Sequence, residues 1–191
     1  MSYPPCLILR HGQTEWNVAG KLQGALDSPL TDVGREHARV QGRILAQFDL
    51  QDHLWITSPQ GRAVATAELA GADPRRLRHD PRLAEITMGT WTGLARADLA
   101  QGNPALFETD GLAWYDHAPG GEGLEALAAR TRTFLDDLTG PAVLITHGIT
   151  SRMLRCHLQG LPPEAFEDVG GGQGVVYRVN NRVQTVLTEP T

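Results

Sequence analysis

The stretch CLILRHGQTEWN, residues 6–17, places an arginine and a histidine directly after a short apolar run. The run at residues 6–9 predicts a buried strand, since uninterrupted apolar residues suit a parallel strand that is covered on both faces. Arg10 and His11 then follow the carboxyl end of this strand, the edge where open α/β sheets bind ligands. Arginine can clamp a phosphate with its planar fork, and a neutral imidazole beside it can take up a phosphoryl group covalently. The stretch therefore indicates a phosphate site with a histidine nucleophile.

Segments with the patterns of strands and helices alternate along the rest of the chain. The predicted strands lie at residues 53–57, 77–79, 142–146, 175–179 and 183–187. The predicted helices lie at residues 31–47, 59–70, 95–101, 104–108, 124–138 and 149–158. The last two strands flank Asn180 and Asn181, a pair typical of a hairpin turn. The alternation predicts an α/β fold class, a three-layer α/β/α sandwich with a mainly parallel central sheet. The length of 191 residues suits a single domain, 1–191.

The composition argues against several classes of protein. The formal net charge of −5 disfavours general binding to nucleic acid or to a membrane surface. The N-terminal residues lack the pattern of a signal peptide, and no apolar run approaches the length of a membrane span. The two cysteines, Cys6 and Cys156, stand in apolar or helical contexts, which predicts buried thiols in a reducing compartment. We therefore expect a cytoplasmic protein with no nucleic-acid or membrane partner.

Polar side chains that suit phosphate chemistry occur just after strands or at helix starts in four separate segments. They are Arg10 and His11 with Asn17, Arg62 near the start of a helix, Glu85 in a short loop, and His147 after the most apolar strand. Phosphoryl transfer depends on positioning and on the neutralisation of charge. The two arginines would neutralise phosphate oxygens, while the carboxyl group would protonate the leaving oxygen and then activate water. The set predicts a phosphorylated small molecule as substrate.

The same segments carry motifs in the order found in one known family. The motifs are LRHGQT with Asn17, LQG at 22–24, DSPLT at 27–31, Ser58-Pro59 with Arg62, Glu85 with Gly89 and Trp91, PGGE at 119–122, and THG at 146–148. By these motifs the chain resembles the histidine phosphatase superfamily, in the branch that contains the cofactor-dependent phosphoglycerate mutases (branch 1). The resemblance covers residues from 7 to about 155.

This resemblance implies a phosphoglycerate mutase-like fold and a phosphatase that hydrolyses phosphate monoesters of small metabolites through a phosphohistidine intermediate. It implies that His11 is the phosphorylated nucleophile and that Glu85 is the general acid and base. The residues implied to hold the phosphate are Arg10, Arg62 and His147, with support from Asn17. Those implied to line the pocket are Gln23, Gly24 and the backbone of Gly148. The family needs no metal, and we expect no cofactor.

Some positions depart from the family pattern or receive no role. Gly123 stands where a serine often follows the PGGE motif, and this predicts the loss of a helix cap worth roughly a few tenths of a kcal/mol. Thr92 stands where a glutamate often follows the tryptophan, which changes the substrate-side wall of the pocket. Arg152 and Arg155, on the helix after His147, are interpreted as ion-paired surface residues.

A cofactor-dependent phosphoglycerate mutase is the first alternative, because it would use the same His11. The segment 93–119 carries the charges that bear on this alternative, and it holds a single arginine, Arg96. Its acidic residues are Asp98, Glu108, Asp110 and Asp116. A triply charged substrate would fit poorly beside them, which favours the phosphatase.

Two further alternatives concern metal binding and catalysis. His11, Glu85 and His147 could bind zinc as two imidazoles and a carboxylate, although two arginines beside them would repel a cation. A non-catalytic phospho-ligand-binding protein would lack the nucleophile or the acid, and both are present.

The predicted strands at the C-terminus leave a homodimer open, because an exposed edge strand can pair with a second copy.

Overall fold

The computed structural model describes residues 3–108 and 111–189. The strands are β1 (Cys6–Arg10), β2 (Leu54–Thr57), β3 (Arg78–His79), β4 (Ala142–Thr146), β5 (Val176–Asn180) and β6 (Val183–Leu187). The α-helices are α1 (Glu15–Val18), α2 (Asp32–Leu45), α3 (Gly61–Leu69), α4 (Arg96–Gly102), α5 (Leu124–Asp136) and α6 (Gly148–Gln159). Short 3₁₀ helices lie at Pro81–Leu83, Gly89–Trp91, Pro104–Phe107, Ala113–His117 and Pro163–Glu167.

The six strands form one sheet with the order β3-β2-β4-β1-β5-β6. β1 and β2 both pair in parallel with β4, and β3 pairs in parallel with β2. β5 is antiparallel to β1, and β6 is antiparallel to β5. The α/β fold class with a mainly parallel sheet is therefore confirmed, with antiparallel pairing at the C-terminal hairpin. The single-domain organisation stays a prediction.

Helices pack on both faces of the sheet, because successive strand residues point to opposite faces. On one face, Leu144 of β4 belongs to a core cluster with Phe134 of α5. On the other face, the next residue, Ile145, belongs to a cluster with Ile44 of α2. All five residues of β4 are buried, as expected for a central parallel strand. Each helix within residues 3–108 and 111–189 is too short or too polar to cross a membrane.

The hairpin between β5 and β6 turns one residue later than predicted. Asn180 ends β5, and the two turn residues are Asn181 and Arg182, with φ angles of 49° and 66°. A two-residue turn of this kind needs positive φ at both central positions, because only then does its twist match that of the strands. Asparagine adopts such angles readily, whereas arginine does so less often.

The start of α5 shows how the chain replaces a missing cap. Gly123 is the N-cap residue and offers no side-chain acceptor, as predicted. Instead, Oδ1 of Asp116, from the preceding 3₁₀ helix, accepts a hydrogen bond of 2.7 Å from the backbone N–H of Leu124. Asp116 is therefore engaged with the helix terminus, where a negative charge is favourable.

The arginines of α6 are not ion-paired surface residues. Arg155 is 1 % exposed and lies over the ring of Tyr177 at 3.8 Å. It donates to the carbonyl oxygens of Val169 and Gly170 at 2.6 and 2.8 Å. Burial lowers the pKa of Arg155 to about 10. Arg152 is half-buried and donates to two carbonyl oxygens of the Pro163–Glu167 turn. The surface interpretation was wrong because both side chains satisfy backbone carbonyls of a loop that packs against α6.

Candidate active site

A cleft of about 70 Å³ opens beside the carboxyl end of β1. It is lined by Arg10, His11, Asn17, Lys21, Leu22, Gln23, Gly24, Arg62, Glu85, Met88 and Tyr115. Three of these side chains are cationic and one is anionic, although the whole chain carries a net charge of −5. The cleft therefore suits a small anionic group.

His11 lies at the cleft with one ring nitrogen fixed. Its Nδ1 is 2.7 Å from the carbonyl oxygen of Gly12. A carbonyl oxygen only accepts, so Nδ1 carries the proton of the neutral ring and Nε2 keeps its lone pair. Burial lowers the pKa of His11 well below its ordinary value, and the nearby charges of Arg10 and Arg62 act in the same direction. The ring is therefore neutral near pH 7, the state that a nucleophile requires.

The loop that carries His11 is held on two sides. The backbone N–H of His11 donates to the carbonyl oxygen of Thr146 at 2.9 Å, which continues the pairing of β1 with β4. On the other side, a Cβ atom at Gly12 would lie 2.0 Å from the carbonyl oxygen of Gly34 in α2. Only glycine permits this approach of the loop to the helix. The position of His11 is thus set by the sheet and by α2.

His147 follows β4 and packs against His11. The centroids of the two rings are 5.2 Å apart. Nε2 of His147 lies 2.7 Å from Oγ of Ser58, while its Nδ1 has no hydrogen-bond partner among the described residues. Burial, followed by the charge of Arg62, lowers the pKa of His147 well below its ordinary value. A buried ring nitrogen without a hydrogen-bond partner costs stability. Such a nitrogen is suited to form its hydrogen bond with a bound ligand.

Arg62 lies in the first turn of α3, and its guanidinium is held in place before any ligand binds. Its side chain is 1 % exposed. Nη1 donates to the carbonyl oxygen of Leu26 at 2.7 Å and to Oδ1 of Asp27 at 3.0 Å, and Nη2 donates to the carbonyl oxygen of Gly24 at 3.2 Å. Nε, like Nε of Arg10, makes no hydrogen bond within the part of the chain that is described.

Glu85 lies at the N-terminus of α6. Its Oε2 accepts a hydrogen bond from the N–H of Ile149 at 3.2 Å, and its Oε1 accepts from the N–H groups of Ile86 and Thr150, each at 3.1 Å. Gly148 separates this carboxylate from Arg10, since a methyl group at Gly148 would contact both. The helix terminus therefore places an acidic group and a cationic group on either side of one glycine.

Gln60 connects the two walls of the cleft. Its Oε1 accepts from the backbone N–H of Glu85 at 2.9 Å, and its Nε2 donates to the carbonyl oxygen of Gly24 at 2.7 Å. Gln60 had no predicted role, and the ion pair of Asp27 with Arg62 was not predicted either. Both contacts join segments that are far apart in the chain, so no local motif signals them.

Most of the predicted site residues come together at this cleft. Those that line it are Arg10, His11, Asn17, Gln23, Gly24, Arg62 and Glu85. His147 contacts His11 from a fully buried position, and Gly148 lies between Arg10 and Glu85. The other four lining residues, Lys21, Leu22, Met88 and Tyr115, are not among the predicted site residues. The ring of Tyr115 stacks on Trp114 at 3.9 Å, and burial raises the pKa of its hydroxyl.

The charges of the segment 93–119 differ from their predicted arrangement. Asp98 and Glu108 are exposed and stand outside the lining of the cleft. Asp116 is used as a cap for α5, and Asp110 lies outside the described residues. The acidic residues of this segment therefore give little evidence against a multiply charged substrate. Within residues 3–108 and 111–189, no three histidine, cysteine or acidic side chains are arranged to hold a metal ion.

The site and the fold agree with a known family. A sequence profile of the histidine phosphatase superfamily (branch 1) matches residues 6–185. The chain belongs to this family, and it is a phosphatase that acts on phosphate monoesters.

Three similar proteins illustrate the range of the family. The glucosyl-3-phosphoglycerate phosphatase of Mycolicibacterium vanbaalenii is 32 % identical over 180 residues, which cover 86 % of this chain and 78 % of that protein. A protein of Yersinia enterocolitica named "Probable phosphoglycerate mutase GpmB" is 34 % identical over 169 residues, which cover 83 % of this chain and 76 % of that protein. The crystal structure of the α-ribazole phosphatase of Shigella flexneri has a TM-score of 0.81 at 26 % identity, covering 97 % of this chain and 96 % of that one.

The buried histidines predict how stability depends on pH. Folding lowers the pKa of His11 and of His147 below the ordinary value of 6.5. Below pH 6.5 the unfolded chain therefore binds more protons at these rings than the folded chain, so the free energy of unfolding falls as the pH falls. Each ring contributes a slope of up to about 1.4 kcal/mol per pH unit until its folded pKa is reached.

We expect the free energy of unfolding of His11→Asn, measured in urea, to fall less steeply between pH 7 and pH 5 than that of the unchanged protein. Burial also lowers the pKa values of His37, His53 and His157, but these residues are present in both proteins. The difference between the two slopes therefore reports on His11. Equal slopes in the two proteins would contradict a lowered pKa at His11.

Proposed function

We propose that the protein hydrolyses phosphate monoesters of small metabolites through a phosphohistidine at His11. The observation that carries the proposal is the state of this ring: it is buried, its Nδ1 is bound to the Gly12 carbonyl, and Nε2 is left as the nucleophilic atom. Arg10 and Arg62 flank it with positive charge. Such positioning and charge neutralisation are what phosphoryl transfer demands of a protein.

In the first step, Nε2 of His11 attacks phosphorus in line with the leaving oxygen. The N–P bond forms as the P–O bond to the alcohol breaks, and Arg10 and Arg62 neutralise the equatorial oxygens. Glu85 gives its proton to the departing oxygen.

In the second step, water attacks the phosphohistidine. Glu85, now ionised, takes a proton from this water as the new P–O bond forms. The N–P bond breaks, and the electron pair returns to Nε2 of His11. Inorganic phosphate leaves, and both residues recover their starting states.

The experiment that tests this proposal is the detection of the intermediate. Phosphate monoesters are mixed with the enzyme, the reaction is quenched with alkali, and the intact mass is measured. A gain of one phosphoryl group located on His11 is expected. This result also excludes the alternative of a non-catalytic phospho-ligand-binding protein, since such a protein gains no mass.

The substrate is proposed as a phosphorylated small metabolite. The cleft is small, and its outer wall offers the side chains of Lys21, Met88 and Tyr115 to the alcohol portion. The named relatives act on a glucosylated phosphoglycerate and an α-ribazole phosphate. A panel of sugar phosphates, phospho-hydroxy acids and nucleoside phosphates, scored by phosphate release, identifies the preferred class.

A phosphoglycerate mutase remains a second candidate, favoured by the 34 % identity to the Yersinia protein with that name. A mutase would use the same phosphohistidine but return the phosphoryl group to the substrate instead of water. Incubation with 3-phosphoglycerate separates the two, because a mutase forms 2-phosphoglycerate and a phosphatase releases inorganic phosphate.

We also propose that the reaction requires no metal ion and that the protein is cytoplasmic. The cationic groups that neutralise the phosphate are Arg10 and Arg62, and a cation bound between them would be repelled. Activity is therefore expected to persist in the presence of a chelator. Cys6 and Cys156 are both free and buried, which suits a reducing compartment.

Arg62 is expected to be essential for binding and turnover. Replacement by lysine keeps the charge but removes the planar fork that reaches Leu26, Asp27 and the phosphate. We expect Arg62→Lys to lower kcat/KM for p-nitrophenyl phosphate about 100-fold. Arg35→Lys is the matched control, because Arg35 is a half-exposed residue of α2 whose partner is Asp32. Equal activity of the two variants would refute the role of Arg62.

We propose a homodimer in which the β6 strands of two copies pair in antiparallel fashion. β6 is the last strand of the sheet, and its Val183 and Val186 are 65 % and 51 % exposed. Val186→Lys is expected to give a monomer in light scattering with unchanged activity, since an edge lysine opposes strand addition. A monomeric unchanged protein would contradict the proposal.

A further inference from the structure

A glycine-rich loop brings one polar side chain to the back of the site. The loop GGGQG, residues 170–174, connects the Pro163–Glu167 turn to β5. Nε2 of its glutamine, Gln173, lies 3.1 Å from the carbonyl oxygen of His11 and 3.2 Å from Oδ1 of Asn17. The proposed nucleophile and a proposed phosphate ligand are thus joined by a residue more than 150 positions away in the chain.

The chemistry of the contacts fixes the orientation of both amides. The backbone N–H of Thr14 donates to Asn17 at 3.1 Å, and an N–H can only donate, so the atom of Asn17 that faces it must be Oδ1. The carbonyl oxygen of His11 can only accept, so the atom of Gln173 that faces it must be Nε2. Nε2 of Gln173 can then donate to Oδ1 of Asn17 as well. Two donors on Oδ1 leave Nδ2 of Asn17 as the amide atom available to the cleft, which Asn17 lines.

The loop itself is anchored independently of Gln173. Arg155 binds the carbonyl oxygens of Val169 and Gly170. A Cβ atom at Gly171 would lie 2.6 Å from Nη2 of Arg152, and one at Gly174 would lie 3.1 Å from the ring of His37. The backbone of the loop is therefore held by α6 and α2. The side chain of Gln173 is not needed to hold the loop, and it makes its hydrogen bonds at the site.

We propose that Gln173 is a positioning residue that turns the amide of Asn17 so that Nδ2 donates to the bound phosphoryl group. The inference rests on the proposed function, in which the cleft binds a phosphate. It assigns to Gln173 no contact with the substrate. Without the donor, only the N–H of Thr14 still holds Oδ1 of Asn17. Rotation of the amide about the last side-chain bond then costs less, and the rotated amide presents an oxygen to the anion, which repels it.

The test compares two replacements of Gln173 with a matched control. Gln173→Met keeps the length of the side chain but removes the donor, and Gln173→Glu places an oxygen against two acceptors. Gln159→Met is the control, because Gln159 is a half-buried glutamine that donates to the carbonyl oxygen of Arg155 at the far end of α6. The readouts are kcat/KM for p-nitrophenyl phosphate and the dissociation constant for vanadate measured by calorimetry.

We expect Gln173→Met to lower kcat/KM and vanadate affinity about 10-fold, and Gln173→Glu about 100-fold, because the bond supports a donor to a charged group. Gln159→Met is expected to stay within about twofold of the unchanged protein. An effect of Gln173→Met no larger than that of the control overturns the proposal. The vanadate measurement does not require turnover, so it tests Gln173 even if the enzyme hydrolyses no ester and the proposed function fails.

A double-mutant cycle with Asn17→Ala separates positioning from a general effect on folding. If Gln173 acts through Asn17, adding Gln173→Met to Asn17→Ala lowers vanadate affinity no further. A merely structural role predicts two independent losses that multiply. Multiplied losses would overturn the proposal, even if each single variant is weakened as expected.

Discussion

Replacement of His11 by asparagine is expected to lower kcat by about 10⁴-fold or more, because the variant has no atom that can form the N–P bond. Asparagine retains an amide donor for the carbonyl oxygen of Gly12, the acceptor that holds Nδ1 in the native ring. Arg10 and Arg62 remain to bind the anion. The affinity for vanadate is therefore expected to change far less than the rate, and no phosphoryl group is expected in the intact mass of the quenched variant.

His53→Asn is the matched control for this variant. His53 is a partly buried histidine at the start of β2, and it lines a cavity beside Cys6 and Phe48 instead of the cleft. Burial lowers the pKa of both rings, although the charges near His53 are those of Asp49 and Asp52, and those near His11 are Arg10 and Arg62. Turnover by His11→Asn at a rate close to that of His53→Asn would end the phosphohistidine mechanism.

The central strands could be predicted from sequence because burial on both faces leaves a direct pattern. The run 6–9 and the segment 142–146 are almost wholly apolar, and the structure places them side by side as β1 and β4. The carboxyl-edge rule then brings Arg10 and His147 together without any knowledge of their contacts. Turn geometry is less evident, since Asn180 and Asn181 both suit a hairpin and the choice depends on the pairing register of β5 with β6.

The residues that were missed act through contacts between distant segments. Asp27 pairs with Arg62, Gln60 spans from Glu85 to Gly24, and Gln173 joins two loops. Each is an ordinary polar residue in a turn or loop, where a solvated side chain is the usual outcome. Arg155 was misjudged for the same reason: a helical arginine usually faces water, and only the loop packed against α6 makes its burial favourable. The roles of such residues can be recognised only when the positions of the distant segments relative to one another are known.

Glu85→Gln is expected to affect substrates according to their leaving groups. An alkyl phosphate has a poor leaving group that needs a proton, so its kcat/KM should fall about 10³-fold. p-Nitrophenolate leaves without protonation, so the first step with p-nitrophenyl phosphate should be nearly preserved. The second step still lacks its base, because an amide cannot take a proton from water. The variant should therefore release one burst of p-nitrophenol and accumulate phosphorylated His11, which rapid mixing and intact mass both detect.

The contacts of Glu85 predict the structural effect of this replacement. A glutamine can keep an oxygen toward the N–H groups of Ile86 and Thr150, but its NH₂ group then meets the N–H of Ile149. One donor at the start of α6 loses its acceptor, and we expect the free energy of unfolding to fall by about 1–3 kcal/mol. Glu125→Gln, in the exposed first turn of α5, is the control for removal of a carboxylate near a helix N-terminus. Equal loss of kcat/KM toward alkyl and p-nitrophenyl esters, with no burst of p-nitrophenol, would show that Glu85 supports the fold of the site and transfers no proton.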